Sequence, residues 1–119
     1  MFYRKTGYTK ITFLKMNRQF ETGAQRDTDK GKPRMSLVPH DELVRLMHRY
    51  KEGAEKYGEN NWMKGMTASV FYDSAQRHLL KWWEEDMSED HMAAVLWNVM
   101  GAMWTEKNKP DLDDRKKFK

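Results

Sequence analysis

Ser88-Glu-Asp-His-Met-Ala-Ala-Val-Leu-Trp-Asn-Val-Met-Gly-Ala-Met-Trp104 decides how this chain folds. Apolar residues recur around nearly the whole circumference of a helix, with Met92, Val95, Leu96, Val99 and Met103 forming one continuous face. Such a helix belongs at the centre of a bundle, because no side of it favours water. Ser88 is the expected cap, with Glu89 and Asp90 in the first turn at the positive end of the helix dipole. His91 and Asn98 interrupt the apolar pattern seven residues apart, within roughly 20° of each other around the axis. Ala94 and Gly101 lie near the same stripe and leave room for a ligand or a closely packed helix. A buried polar group without a partner costs about 1–3 kcal/mol, so the stripe is either a satisfied interhelical hydrogen-bond pair or the wall of a site.

Two further helices are expected upstream. The first opens near Pro39 to Asp41 and ends at Gly58, with Leu43, Leu46, Met47, Tyr50, Ala54 and Tyr57 on one face. Glu59 to Gly65, with its flanking glycines and paired asparagines, is a loop. Thr67 or Ser69 caps the next helix, which runs to about Glu85 and carries Phe71, Ala75, Leu79, Trp82 and Trp83 at core spacing. The fold class is therefore all-α: a small bundle of three main helices with an extended N-terminal arm, completed by oligomerisation. Residues 1–20 are an extension in which Tyr8 to Phe13 alternates like a short strand, and Met16 could be an internal start. Residues 21–109 are the single helical domain, within which 21–38 is a polar arm lacking helix or strand periodicity. Residues 110–119, beyond the stop at Pro110, form a charged tail.

With 119 residues, 39% apolar and 34% charged, the chain can bury only a thin core. It has no cysteine, which excludes disulfide frameworks and thiolate chemistry and fits a reducing compartment. No apolar run reaches the roughly 20 residues that span a bilayer, so a cytoplasmic protein is expected. The net charge of +4 is contributed by the ends: residues 1–20 carry +5 and residues 105–119 carry +2, leaving −3 on residues 21–104. An acidic centre disfavours nucleic-acid binding and suits a polyphosphate bridged by a hard cation. There is no Gly-rich phosphate loop, no Gly-x-Ser-x-Gly elbow and no His-Glu-x-x-His.

Glu84, Glu85, Asp86, Glu89, Asp90 and His91 are the densest set of possible metal ligands, although a solvated acidic turn explains them equally. His78 and Glu85 share a helix face and could ligate a cation, or His78 packs in the core while Glu85 frays. Asp73 and Arg77 have the spacing of a solvated ion pair. Glu52 and Glu55, with His48 beside them, fall almost opposite the apolar stripe and read as a solvated face. Around the first loop, Lys56 could meet a phosphate, Tyr57 and Asn61 flank it, and Trp62 could stack on a purine or act as a hydrophobic plug.

Five ordered blocks add to this reading. Glu21-Thr-Gly-Ala-Gln-Arg-Asp-Thr-Asp-Lys-Gly-Lys32, Gly53-Ala-Glu-Lys-Tyr-Gly-Glu-Asn-Asn-Trp62, Arg77-His-Leu79, Ser88-Glu-Asp-His-Met-Ala-Ala-Val-Leu-Trp-Asn98 and Pro110-Asp-Leu-Asp-Asp-Arg115 resemble the phage dATP/dGTP diphosphohydrolase family. The resemblance implies kinship with the all-α, MazG-like enzymes, which cleave a nucleoside triphosphate to monophosphate and pyrophosphate with Mg²⁺, Mn²⁺ being an alternative. It implies a purine deoxynucleoside triphosphate as substrate, while the thin core makes a homo-oligomer, a dimer or tetramer, the expected working form. The MazG-like metal box is not intact: aligned on Val95-Leu96, His91 and Ala94 take the places of the later Glu and Asp. Matching positions give Glu89, Asp90, His91 and Arg77 as catalytic candidates. Lys56, Tyr57, Asn61, Trp62 and Asn98 are substrate-binding candidates, and His78, Glu89, Asp90 and His91 are metal candidates. The competing expectation is a non-catalytic helical phage protein that binds a host protein or nucleic acid, with Arg77, His78 and Lys81 as the few groups able to meet DNA.

Overall fold

The computed structural model describes residues 17–119, so the expected Tyr8–Phe13 strand lies outside the described residues. The described residues divide after Val38 into two compact units, the second being Pro39–Lys119. In the first, β1 (Asn17–Gln19) pairs antiparallel with β2 (Gln25–Asp27), Arg18 lying opposite Arg26. No apolar alternation announced this hairpin, because all six strand residues are exposed. Backbone hydrogen bonds hold it instead, including Phe20 N to Ala24 O at 2.9 Å across a turn in which Gly23 has φ +90°. A 3-10 turn at Met35–Leu37 follows.

The second unit is a small all-α bundle. Its helices are α1 (His40–Tyr57), α2 (Ala68–Trp83) and α3 (His91–Asn108). Pro39 precedes α1, Asp41 and Glu42 occupy its first turn, and Gly58 closes it by donating its N–H to Ala54 O. The loop after α1 holds a 3-10 turn, Asn61–Lys64, and ends at Gly65. Gly65 has φ +89°, and a Cβ there would stand 2.6 Å from Leu112 Cδ1. The 3-10 turn Pro110–Leu112 lies against it for that reason.

Helix caps differ from the sequence expectation. Thr67 occupies the cap position of α2 with its hydroxyl on the Ser69 hydroxyl at 3.3 Å and not on a backbone N–H, and Asp114 accepts from the Ser69 N–H at 2.9 Å and from the Ser69 hydroxyl. A residue of the charged C-terminal stretch therefore satisfies an orphan donor 45 positions away. Helix α2 stops at Trp83, before the expected Glu85, which instead takes a left-handed φ of +61°. Ser88 does not cap α3; its N–H and hydroxyl both go to Asp86. Asp90 is the cap, accepting from Ala93 N at 3.1 Å, so α3 begins at His91.

The inward face of α3 is also not the apolar one. Its buried residues are His91, Ala93, Ala94, Asn98, Gly101 and Thr105, while Leu96, Val99, Met100 and Met103 are exposed. The small and polar stripe turns inward because α2 packs directly on it. His78 meets His91, Ser74 meets Asn98, and Phe71, 2% exposed, covers Gly101. Ascending α3 while descending α2, these three rungs define an antiparallel pair. On the other side, Tyr50, Trp62, Trp97 and Trp104 form a chain of ring contacts with centroids 5.2–6.0 Å apart, tying α1 and the loop to α3.

Gly101 sets the α2–α3 distance, since a Cβ there would come within 2.5 Å of Phe71 Cε1. Gly101→Ala should therefore destabilise by about 1–3 kcal/mol through overpacking, although alanine is the better helix former by about 1 kcal/mol. Urea denaturation checks this, and Phe71→Leu in the same chain should recover part of the loss. Equal or greater stability of Gly101→Ala alone would show that α2 and α3 can separate freely.

Candidate functional site

Two neighbouring features share His78. The first is a cleft of about 420 Å³ between α1, the first loop, α2 and α3. Lys56, Tyr57, Asn61, Trp62, Arg77, His78 and Asn98 all line it. Arg49, Glu52 and Ser74 line it as well. Its volume is in the range of small-molecule sites, roughly 300–1,000 Å³. Lys56 and Arg77 have no ion-pair partner among the described residues, and the expected Asp73–Arg77 pair does not form. Arg49 points its guanidinium at Glu89, Nη1 to Oε1 at 2.9 Å. Lys56, Arg77 and Arg49 thus line one concave surface, with Arg49 paired to Glu89 and Glu52 on the same wall.

The aromatic groups in the cleft have different freedoms. Trp62 is held edge-on against Tyr50 and Trp104, so most of its surface acts as a hydrophobic plug. Tyr57 is 68% exposed at the last turn of α1 and is the ring free to stack on a base. Burial raises the Tyr50 phenol above its ordinary pKa and keeps it neutral. Asn98 is 4% exposed and satisfied, its Nδ2 donating to Ser74 Oγ at 3.1 Å and to Ala94 O at 2.8 Å. The polar stripe of α3 is thus an interhelical hydrogen-bond set that also reaches the cleft wall.

The second feature is a cluster at the N-terminus of α3. One nitrogen of His78, one nitrogen of His91 and one Glu89 oxygen lie within 4.8 Å of one another. His78 Nδ1 and His91 Nδ1 are 2.9 Å apart. His91 Nε2 lies 3.0 Å from Asp86 Oδ1, and a carboxylate can only accept, so this ring nitrogen donates. Burial lowers the His78 pKa, against an opposing pull from Glu89, and favours its unprotonated form. For Glu89, burial acts upward but the Arg49 hydrogen bond and charge prevail, leaving its pKa lowered. The hydrogen bonds from His91 and then Ser88 hold the Asp86 carboxyl well below the usual carboxylate range.

Asp90, expected among the ligands, does not join this cluster. It accepts from Arg45 through both oxygens, at 2.7 and 2.8 Å, and caps α3. Glu84 and Glu85 are exposed and also remain outside it. Glu55 is exposed, whereas Glu52 of the same spacing sits on the cleft wall. Arg49 is the residue that sequence reading missed, and the role of Asp86 beside His91 was not foreseen. The signal for Arg49 was its pairing with Arg45 one turn away, two cations spaced to meet the adjacent acids Glu89 and Asp90. Asp86 was visible only as one acid among several.

The bundle and its cleft define a small all-α protein with a pocket lined by Lys56, Arg77 and Arg49 beside a group able to hold a metal ion. The chain belongs to the dATP/dGTP diphosphohydrolase, N-terminal family, whose sequence model matches residues 22–115. No curated protein and no solved structure matches it. Mg²⁺, which the resemblance implies, requires a near-octahedral shell of oxygens, and two imidazole nitrogens with one carboxylate do not supply that shell.

The Arg45–Asp90 pair generates a pH-dependent contribution. The Arg45 hydrogen bond lowers the Asp90 pKa to about 2, below an unfolded value of about 3.9. Its stabilisation is complete above pH of about 4 and is lost as pH falls towards about 2. Asp90→Ala should cost about 1 kcal/mol for the cap and a few tenths more for the exposed pair. Denaturation of wild type and Asp90→Ala should differ at pH 7 and converge near about pH 2; a constant difference would remove the ion pair from the account.

Proposed function

We propose that the protein hydrolyses a purine deoxynucleoside triphosphate, dATP or dGTP, to the monophosphate and pyrophosphate, with a divalent ion required. The observation that carries this reading is the convergence of Lys56, Arg77 and Arg49 in one cleft with His78, the residue that joins the cleft to the His–Glu cluster. Family membership supports it. The triphosphate lies along the three cations, which offset the charge that builds on the leaving pyrophosphate. Tyr57 stacks on the base, while Asn61 offers it polar contacts and Trp62 closes the floor. Water attacks the α-phosphorus from the His78–Glu89 end, the bond to the bridging oxygen breaks, and the proton is lost to an acceptor at that end. An ion held by His78, His91 and Glu89 would lower the pKa of a water molecule there. The setting proposed is phage nucleotide-pool metabolism in the host cytoplasm; no helix among the described residues is long and apolar enough to cross a membrane.

The partner proposed is a second copy of the chain. Among the described residues the buried hydrophobic side chains are Leu46, Phe71, Ala93 and Ala94, whereas Leu80, Trp83, Leu96, Val99 and Met103 remain 43–76% exposed on α2 and α3. So small a core is a poor match for so much apolar surface. Light scattering on the eluting protein should give a multiple of 14.3 kDa; a monomer at micromolar concentration would exclude this.

Pyrophosphate release from each dNTP tests the activity. Arg77→Ala should lower kcat/KM by roughly tenfold to a thousandfold, and Tyr57→Ala should mainly raise KM, because a stacked base contributes binding shared by ground and transition states. Absence of pyrophosphate from all four dNTPs, with Mg²⁺, Mn²⁺ or Co²⁺ supplied, would sink the enzymatic reading.

A further inference from the structure

We infer that His78, His91 and Glu89 form a site for a borderline transition-metal ion of the Mn²⁺–Co²⁺ class that discriminates against Mg²⁺, with Asp86 as the positioning residue for His91. The inference deepens the proposed function, since this site stands at the end of the cleft assigned to the triphosphate. Imidazole suits first-row transition ions, whereas Mg²⁺ selects oxygen and sheds water reluctantly. Two nitrogens and one carboxylate leave further positions on such an ion for water and phosphate oxygens.

Burial and hydrogen bonding prepare the nitrogen atoms. His91 is 2% exposed, so its ring cannot turn to solvent. An imidazole with one proton places it on Nε2 toward Asp86 and presents Nδ1 as a lone pair toward His78 and Glu89. This is the arrangement in which an outer carboxylate fixes the tautomer of a metal-binding histidine. Asp86 is itself fixed by the N–H and hydroxyl of Ser88. The 2.9 Å between the two Nδ1 atoms is spanned by a single hydrogen bond when no ion is bound. It also approximates the roughly 3.0 Å between two nitrogens at right angles on an ion about 2.1 Å from each. An all-oxygen competitor gains nothing from either nitrogen.

Arg49 adds a constraint. Its bond to Glu89 keeps the carboxylate beside the histidines, and it also lines the cleft. An incoming phosphate can draw the guanidinium towards itself and leave Glu89 to the ion.

The test uses full-length protein stripped with a chelator. Co²⁺ is titrated while its visible ligand-field absorption is followed, and Mn²⁺ binding is measured by calorimetry. Both are repeated in millimolar Mg²⁺. One Co²⁺ per chain is expected, retained in excess Mg²⁺. His78→Ala and Glu89→Gln should each weaken binding at least tenfold, and Asp86→Asn roughly 10–100-fold. His48→Ala, on the exposed side of α1, should change nothing. Circular dichroism confirms that each variant is folded, and the exposed Glu89 provides a variant least able to disturb the bundle. Full displacement of Co²⁺ by Mg²⁺, or wild-type affinity in folded Glu89→Gln and His78→Ala, overturns the inference. Pyrophosphate release with Mg²⁺ alone and no Co²⁺ or Mn²⁺ binding would overturn the inference and leave the hydrolase reading standing. Tight Co²⁺ binding without hydrolysis of any dNTP would do the reverse.

Discussion

The contact of Phe71 with Gly101 is the constraint on which the second unit depends. With no side chain at position 101, α2 and α3 approach closely enough for the two rungs above it to form, Ser74 with Asn98 and His78 with His91. Each rung is polar, and polar rungs tolerate little error, because a buried donor separated from its acceptor loses its bond without regaining water. An apolar contact at one end therefore sets the geometry of the chemical groups at the other. The distance from Gly101 to His91 is ten residues, roughly 15 Å of rigid helix, so the helix transmits that geometry with little loss.

The helices were legible because each has its own punctuation. Pro39 and Gly58 bracket α1, Gly65 and Thr67 precede α2, and Pro110 follows α3. The facing of α3 was not legible. A helix apolar nearly all round carries no hydrophobic direction, so periodicity chose the larger residues Met92, Val95, Leu96, Val99 and Met103. The structure chose the smaller ones, since close packing rewards the absence of volume where two helices meet. The same logic exposes Leu96, Val99 and Met103. Caps were misread for a related reason: Ser88 has the right chemistry for α3, but Asp86 captures it two residues away, and Asp114 reaches Ser69 from a segment with no sequence sign of returning.

The site was partly legible. Sequence spacing places His91 and Asn98 on one stripe, and the block Gly53–Trp62 marks the loop end of the cleft. What spacing cannot show is which of several adjacent carboxylates turn inward. Glu89 and Asp90 are neighbours of identical charge, yet one joins the histidines and the other closes the helix end with Arg45. Arg45 and Arg49 decide between them. Four residues apart on α1, they present two cations one helical turn apart, and the two acids sort onto them in reverse order, Asp90 onto Arg45 and Glu89 onto Arg49.

That sorting gives the two pairs unequal consequences. Arg45–Asp90 is bidentate and tied to a backbone cap, so breaking it frays the first turn of α3 and with it the position of His91. Arg49–Glu89 is joined by one hydrogen bond and has no backbone anchor, and its cation already belongs to the cleft. A structural clamp and an exchangeable pair thus sit side by side between α1 and the segment that leads into α3. The clamp holds the nitrogen of His91 in place, while the exchangeable pair allows charge to be redistributed between a bound polyanion and the carboxylate beside it. A polyphosphate entering near Arg49 would alter the electrostatics at Glu89 without requiring α1 to move, so the cleft and the His–Glu cluster are coupled through one side chain.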